Sequence, residues 1–342
     1  MQKISIINSK VVTVVNKKLI VFQNNKINLK DLKKNEVVCE TLYSCISPGT
    51  ETAAYLGLPH LRKGVVYPRV VGYCNVSRII DVTKKNKINY KIGDIIYSFQ
   101  SHRSHFKINV NEIVTKLPKN IDYISASCAY IFHFGYDAVI RMRIKKGTRI
   151  IILGLGPIGL GITKIASLHG AEIICISDQP KARMTALKYG AREAYSRQRL
   201  HSKSNLFDKQ HIDVLITTSN SWKDWSLVLS LSQYNSKIGV VGFPGRGYKN
   251  ITNNPLDTNF FYANQLTIRS LGMPPLKNYE DKNLKYNLKK NMKKIVKQIY
   301  KNQIDPTKLI SGIIDFNEIE TAYKNLLNKN KPTLTYVLKW KN

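Results

Sequence analysis

Residues 148 to 159 read Thr148-Arg149-Ile150-Ile151-Ile152-Leu153-Gly154-Leu155-Gly156-Pro157-Ile158-Gly159. A short, largely apolar strand runs into three glycines, and an amphipathic helix is predicted from Pro157 to His169. Ala171 to Ser177 forms a second apolar strand ending at Asp178, and Lys181 to Tyr189 continues as a helix closed by Gly190. This is a complete βαβ unit. Its glycines have distinct tasks: Gly154 permits the tight turn, Gly156 lets the backbone approach a pyrophosphate, and Gly159 lets helix and strand pack closely. Backbone N–H groups at the helix start, around Pro157, Ile158 and Gly159, then hold the phosphates with the help of the helix dipole. The unit therefore predicts dinucleotide binding.

Either NAD or NADP fits the end of the second strand. Ser177 occupies the usual place of the acid that binds a ribose 2′-OH, and Asp178 follows one residue late. Lys181 and Arg183 stand close enough in sequence to meet a 2′-phosphate, which tips the expectation to NADP(H).

Working outward, Asp213 to Thr217 and Lys237 to Phe243 read as two further buried strands separated by a helix near Trp222 to Leu231. Alternation of this kind predicts a doubly wound parallel sheet of the Rossmann type. Strand ends face the ligand in such a sheet, so Thr217 or Thr218 and Gly242-Phe243 are expected on the nicotinamide side. Upstream, Ala126 to Arg143 reads as one helix. Earlier still, Val11–Val15, Leu19–Phe22, Glu36–Leu42, Val76–Val82 and Ile95–Phe99 alternate between turn signals, the pattern of a small all-β barrel or sandwich. After Gly272 come a long helix, a strand at Leu309 to Ile314, a helix at Phe316 to Leu327 and a final strand at Thr333 to Lys339.

The chain has 342 residues, 54 Lys+Arg against 22 Asp+Glu, and a formal net charge of +32. So much positive charge invites a nucleic-acid reading. The lysines, however, are spread among Asn and Ile, as in Lys84-Lys85-Asn86-Lys87-Ile88-Asn89, and read as a solvated surface in an AT-rich coding background. No specific nucleic-acid partner is expected. Lys285 to Lys301 is a predicted helix with one basic face, read as a solvated helix or, in the alternative, as a dock for an acidic partner such as a carrier protein. The five cysteines, Cys39, Cys45, Cys74, Cys128 and Cys175, are scattered with no C-x-x-C pair, which argues against a structural zinc lobe and a disulfide framework. Ile150 to Ala166 is interrupted by glycines and Lys164 and reads as strand and helix, not as a membrane span. With no secretory signal pattern at the N-terminus, a cytoplasmic protein is expected.

Further motifs carry a resemblance. Ile46-Ser47-Pro48-Gly49-Thr50-Glu51, Tyr67-Pro68-Arg69-Val70-Val71-Gly72-Tyr73 and the terminal Trp340-Lys341 pair, together with the glycine turn, resemble the medium-chain dehydrogenase/reductase superfamily. Within it they are most similar to the subgroup containing bacteriochlorophyllide a dehydrogenase. The resemblance implies a GroES-like β domain over 1–131 completed by 273–342, and a Rossmann domain over 132–272. It also implies a homodimer and a small-molecule substrate, carrier-bound or free.

Zinc-dependent members hold catalytic zinc through a Cys, a His and a later Cys or acid. The corresponding positions resemble Ser47, Tyr73 and Tyr130, so no metal is expected. Another group must then stabilise a developing alkoxide or donate a proton. Tyr73 stands in the zinc ligand's place and reads as a donor to a carbonyl oxygen or as an ordinary buried tyrosine; in the neighbouring segment, with Thr50, the Glu51 carboxylate either orients a substrate hydroxyl or accepts backbone N–H bonds in a turn. His133 precedes Phe134-Gly135-Tyr136, a segment near the nicotinamide in the superfamily, and reads either as a titrating imidazole that relays a proton there or as a satisfied core histidine. His102 and His105 read either as lining a substrate entrance or as a solvated loop.

The expected activity is zinc-independent, NAD(P)-dependent hydride transfer between the nicotinamide and a secondary alcohol or ketone. An NADPH-dependent ene or enoyl reductase is the alternative, and a non-catalytic dinucleotide-binding protein with an acidic partner is the third reading.

Overall fold

The computed structural model describes residues 6–59, 65–83, 89–201, 211–246, 254–272, 280–282, 286–328 and 330–340. The chain divides into two compact units, residues 1–130 with 292–342, and residues 131–291. The first unit opens with strands β1 (Ile6–Asn16), β2 (Leu19–Asn28) and β3 (Glu36–Cys45), helix α1 (Pro48–Tyr55), and strands β4 (Arg69–Val70), β5 (Asn75–Val82), β6 (Ile95–Ser98), β7 (His105–Asn109) and β8 (Thr115–Lys116), followed by helix α2 (Tyr123–Ser127). The second contains α3 (Ala129–Met142, which begins at the division), β9 (Arg149–Leu153), α4 (Pro157–Leu168), β10 (Glu172–Ile176), α5 (Pro180–Lys188), β11 (Glu193–Tyr195), α6 (Arg197–His201), β12 (Val214–Thr217), α7 (Trp222–Ser230), β13 (Lys237–Val240), β14 (Thr267–Ser270) and the paired β15 (Glu280–Asp281) and β16 (Tyr286–Asn287). Helix α8 (Leu288–Tyr300) straddles the second division. Strand β17 (Ile310–Asp315), helix α9 (Ile319–Leu327) and strand β18 (Thr335–Lys339) then return to the first unit.

In the second unit six strands are ordered β11-β10-β9-β12-β13-β14, all parallel. That is the doubly wound order with β9 as its central first strand. Ile150 to Leu153 are buried on both faces of β9, as a strand covered by helices on either side requires. The expected strands and helices are present, with ends moved by a residue or a few.

In the first unit a three-stranded sheet (β2-β1-β4) accompanies a seven-stranded one in which β3 is central, flanked by β18 and β5 and paired near its start with β7. β3 is almost wholly buried, which explains why its Val37-Val38-Cys39 run does not alternate. The C-terminal strand is sewn to it by pairing Val337 with Cys45 and Lys339 with Tyr43.

Three expectations need correction. The single helix read over 126–143 is two. Asp122 caps α2, whose end is closed at Cys128, where the Cys128 N–H reaches the Ser125 carbonyl and Ser127 Oγ donates to the Ile124 carbonyl. The basic helix read from Lys285 begins at Leu288, and Lys285 lies outside the described residues. Residues 286–291 pack with the second unit, whereas the sequence reading handed everything after 272 to the first. The cause of the last is local: the Tyr286 hydroxyl is hydrogen-bonded to His133 Nε2, and both side chains are buried.

Burial pushes the His133 imidazole down to about 3, so it stays neutral in the folded chain down to that pH while an unfolded imidazole protonates near 6.5. The unfolded state therefore binds more protons in that window, and stability falls as pH drops from about 6.5 towards 3. Urea midpoints of His133→Phe measured across this range are expected to show a shallower acid loss than the parent chain. Parallel curves would show that His133 does not contribute to it.

Candidate functional site

In the second unit, the glycine turn lies at the carboxyl ends of the parallel strands. Gly154 has φ +92°, and a Cβ there would sit 2.6 Å from Thr218 Oγ1. A Cβ on Gly159 would fall 2.0 Å from the Gly154 carbonyl oxygen, so only glycine allows helix and turn to close. Gly156 is different: nothing lies within 4 Å of the position its Cβ would take. It is the N-cap of α4, Pro157 begins the helix, and no side chain caps the first turn. The N–H groups at Ile158 and Gly159 thus open on space that a pyrophosphate would fill. These residues fit a dinucleotide.

Thr218 Oγ1 donates to the Gly154 carbonyl at 2.8 Å, locking the glycine turn to the end of β12. Thr217 is fully buried, and its Oγ1 accepts the Ser219 N–H at 3.4 Å, so its part is to shape the turn. Gly242 lies against Ser219, where a Cβ would meet the carbonyl oxygen at 2.2 Å, and Phe243 is exposed with its N–H held by Asn220 Oδ1 at 2.7 Å. Ser219 and Asn220 carry no motif in sequence, and their role as ties between the β12 and β13 ends appears only in three dimensions.

At the end of β10 the two alternative acid positions separate. Ser177 is buried, its Oγ accepting the Gln179 N–H at 3.3 Å, and its carbonyl accepts Arg183 Nη1 at 2.8 Å. Asp178 is taken by Arg197, which donates through its backbone N–H at 2.9 Å and through Nη1 at 2.8 Å. Partial burial would raise this carboxyl, but the Arg197 contacts outweigh it and hold it below the usual range. Arg197 in turn grips Asp224 with two bonds, at 2.7 and 2.8 Å. Lys181 is exposed and Arg183 half-buried.

A separate cluster belongs to the first unit. Tyr73, just before β5, donates from its hydroxyl to Ser47 Oγ and lies 3.4 Å from Thr50 Oγ1, which is exposed. Its ring meets Tyr130 edge-on at 5.4 Å, and Tyr130 meets Phe99 at 5.1 Å. The three positions read as stand-ins for zinc ligands are therefore neighbours, linked Ser47 to Tyr73 and Tyr73 to Tyr130. Burial, with a lesser contribution from Cys74, pushes the Tyr73 phenol well above its ordinary value, so it is a neutral hydrogen-bond donor. Neutral serine and tyrosine hydroxyls are poor zinc ligands beside thiolate and imidazole, and the donor set does not fit that metal. Among the described residues no group of three or more His, Cys, Asp or Glu side chains is arranged to hold a metal ion.

Cys45, Cys74 and Cys128, far apart in sequence, converge directly behind this cluster. The Cys45 and Cys128 sulfurs lie 3.4 Å apart, and the Cys74 carbonyl accepts the Cys45 N–H at 2.9 Å. All three are buried, and Cys74 and Cys128 are pushed well above the ordinary thiol range, Cys74 chiefly by burial and Cys128 chiefly by its bond with Cys45. The three sulfurs are part of the packed interior.

Two further expectations change. Glu51 is 1% exposed and accepts three hydrogen bonds, from Ser47 N–H, His102 Nε2 and Tyr323 Oη, so it has no free face to orient a substrate. His102 lines no entrance and no solvated loop; it is fully buried against Glu51 and Ser44, while His105 is half-buried in β7. His133, neutral and enclosed, does not have the titrating imidazole that a proton relay needs.

Residues 157–284 match the family model described as zinc-binding dehydrogenase. Sorbitol dehydrogenase of Bacillus subtilis is 25% identical over 161 residues, 46% of this chain, and the match spans only 44% of that enzyme. Among solved structures, L-idonate 5-dehydrogenase of Escherichia coli K-12 superposes with a TM-score of 0.80 at 16% identity, covering 98% of this chain and 99% of that one. An alcohol dehydrogenase of E. coli CFT073 complexed with NADH gives a TM-score of 0.77 at 15% identity, covering 97% and 99%. Among the described residues no helix is long and apolar enough to cross a membrane. The chain has the fold of these dehydrogenases, and within it residues 157–284 match the zinc-binding dehydrogenase model.

Proposed function

We propose that the protein is an NAD(P)-dependent oxidoreductase that transfers hydride between the nicotinamide and a secondary alcohol or ketone without a catalytic zinc. The observation that carries this reading is the hydroxyl cluster in which Tyr73 meets Ser47 and Thr50, with Ser47 and Tyr73 at positions that resemble the zinc ligands of relatives. Bound NAD(P)H supplies the hydride. As negative charge develops on the carbonyl oxygen, Tyr73 donates its proton to it, a task suited to a phenol held neutral by burial. Ser47 can reverse its hydrogen bond and donate to the phenol oxygen, since each hydroxyl is both donor and acceptor. Exposed Thr50, 3.4 Å away, offers the route by which solvent restores the proton.

NADP(H) is the proposed partner. Asp178 is occupied by Arg197 and so competes poorly for a ribose 2′-OH, while Lys181 and Arg183 in the first turns of α5 supply positive charge for a 2′-phosphate.

Titration of the purified chain is expected to give tighter binding of NADPH than of NADH, and Lys181→Ala together with Arg183→Ala should remove about a tenfold or larger preference. Equal affinities in the parent chain would overturn the assignment to NADP(H).

With NADPH, reduction of cyclohexanone is expected to survive 1,10-phenanthroline, and Tyr73→Phe should lower kcat by about 10²- to 10³-fold with the NADPH affinity unchanged. Loss of activity with the chelator, restored by zinc, would sink the metal-free reading. Turnover of 2-cyclohexenone at its C=C bond in place of cyclohexanone would move the enzyme to the ene reductases.

A further inference from the structure

The carboxylate of Glu51 sits at the centre of a hydrogen-bonded chain that no solvent reaches. Its Oε1 accepts the Ser47 N–H at 2.6 Å, and its Oε2 accepts Tyr323 Oη at 2.7 Å and contacts His102 Nε2 at 2.8 Å. All three partners can be donors, the complement that an ionised carboxylate takes. The other imidazole nitrogen of His102, Nδ1, lies 2.8 Å from Ser44 Oγ, which also accepts the indole N–H of Trp340 at 2.7 Å. Glu51 is 1% and His102 0% exposed, so neither group can touch a substrate.

What the pair does touch are the two segments that carry the hydroxyl site. Glu51 holds Ser47 through its N–H. His102 holds the other segment: its own N–H donates to the Val71 carbonyl at 2.8 Å, and its ring fills the space beside Gly72, where a Cβ would lie 2.6 Å from the ring carbons. Gly72 has φ +91° and immediately precedes Tyr73. The glycine is thus needed twice, for its backbone angle and for the imidazole's approach. One buried hydrogen-bonded pair sets both the Ser47 and the Tyr73 ends of a single hydrogen bond.

We propose that Glu51 and His102 are positioning residues that hold the segments 46–51 and 71–73 in register, so that the Ser47 and Tyr73 hydroxyls present one donor to the substrate oxygen. The inference rests on the reading of Tyr73 as the proton donor, and it deepens that reading by naming what aims the phenol. Trp340, Ser44 and Tyr323 brace the pair from the C-terminal segment and from β3. Small displacements of a donor are enough to matter, because its stabilisation of a developing charge depends on distance and direction.

The test uses the full chain with 3-fluorotyrosine placed at position 73, read by fluorine NMR without turnover, and cyclohexanone reduction by NADPH as the kinetic readout. Glu51→Gln turns a carboxylate that accepts three bonds into an amide that must face at least one of those donors with another donor. His102→Gln is the milder variant, since it keeps a group able to donate towards Glu51; thermal melting checks that each variant is folded.

Both variants are expected to move the fluorine resonance and to lower kcat by about 10- to 100-fold, with the NADPH affinity within about twofold of the parent. Glu51→Gln combined with Tyr73→Phe should be no slower than Tyr73→Phe alone, because both changes remove the same donor. An unmoved resonance in the folded variants, or losses that multiply independently in the double variant, would overturn the proposal. A moved resonance alongside full activity in Tyr73→Phe would uphold the positioning and reject Tyr73 as the donor.

Discussion

A carboxylate shut away from water has to be met by donors, and the first unit is organised around meeting one. Glu51 lies on the first turn of α1, yet its three hydrogen bonds come from Ser47, His102 and Tyr323, contributed by the end of the β3 segment, the stretch after β6 and helix α9. Removing any partner leaves buried charge or a buried polar group uncompensated, which costs far more than an exposed hydrogen bond contributes. The C-terminal strand is drawn into the same arrangement through Trp340 and Ser44. Phe316 stacks on Trp340 at 4.5 Å, which ties the start of the α9 segment to the last strand. The return of the chain to its first unit is therefore specified by polar contacts as well as by β18 pairing with β3.

The same arrangement accounts for the short motifs that carry the family resemblance. Ile46 to Glu51 contains a hydroxyl of the candidate site and the acid that fixes it, and Val71-Gly72-Tyr73 contains another hydroxyl and the glycine against which His102 packs. Where zinc-dependent relatives concentrate ligands, this chain has hydroxyl and aromatic groups. Three buried cysteines accompany them, with Cys45 two residues before Ser47, Cys74 next to Tyr73, and Cys128 two residues before Tyr130. The thiols belong to the packing: all three are buried, and the raised proton affinities of Cys74 and Cys128 make those two small hydrophobes, not nucleophiles or ligands.

The second unit is governed by backbone sterics. Gly154 and Gly159 are required because neighbouring atoms occupy the places their side chains would take, and Gly156 leaves room on the open side. At the end of β10, Arg197 bonds both Asp178 and Asp224 and so withdraws the acid that sequence position alone offered to a ribose.

Local chemistry was enough to read the parallel sheet, its glycine turn and most of its helices from sequence, since strand period, apolar runs and glycine spacing are properties of neighbouring residues. Sequence also identified Ser47, Tyr73 and Tyr130 as standing together, by their motif positions. It could not show that Glu51 and His102 find each other across 51 positions, that Asp178 is claimed by Arg197, or that Cys45, Cys74 and Cys128 converge. His133 offers the same lesson, for its titration depends on burial beside Tyr286 and on nothing in its neighbouring residues. Burial and long-range pairing decide whether a polar side chain is a reagent or a brace, and both quantities exist only once distant segments have packed.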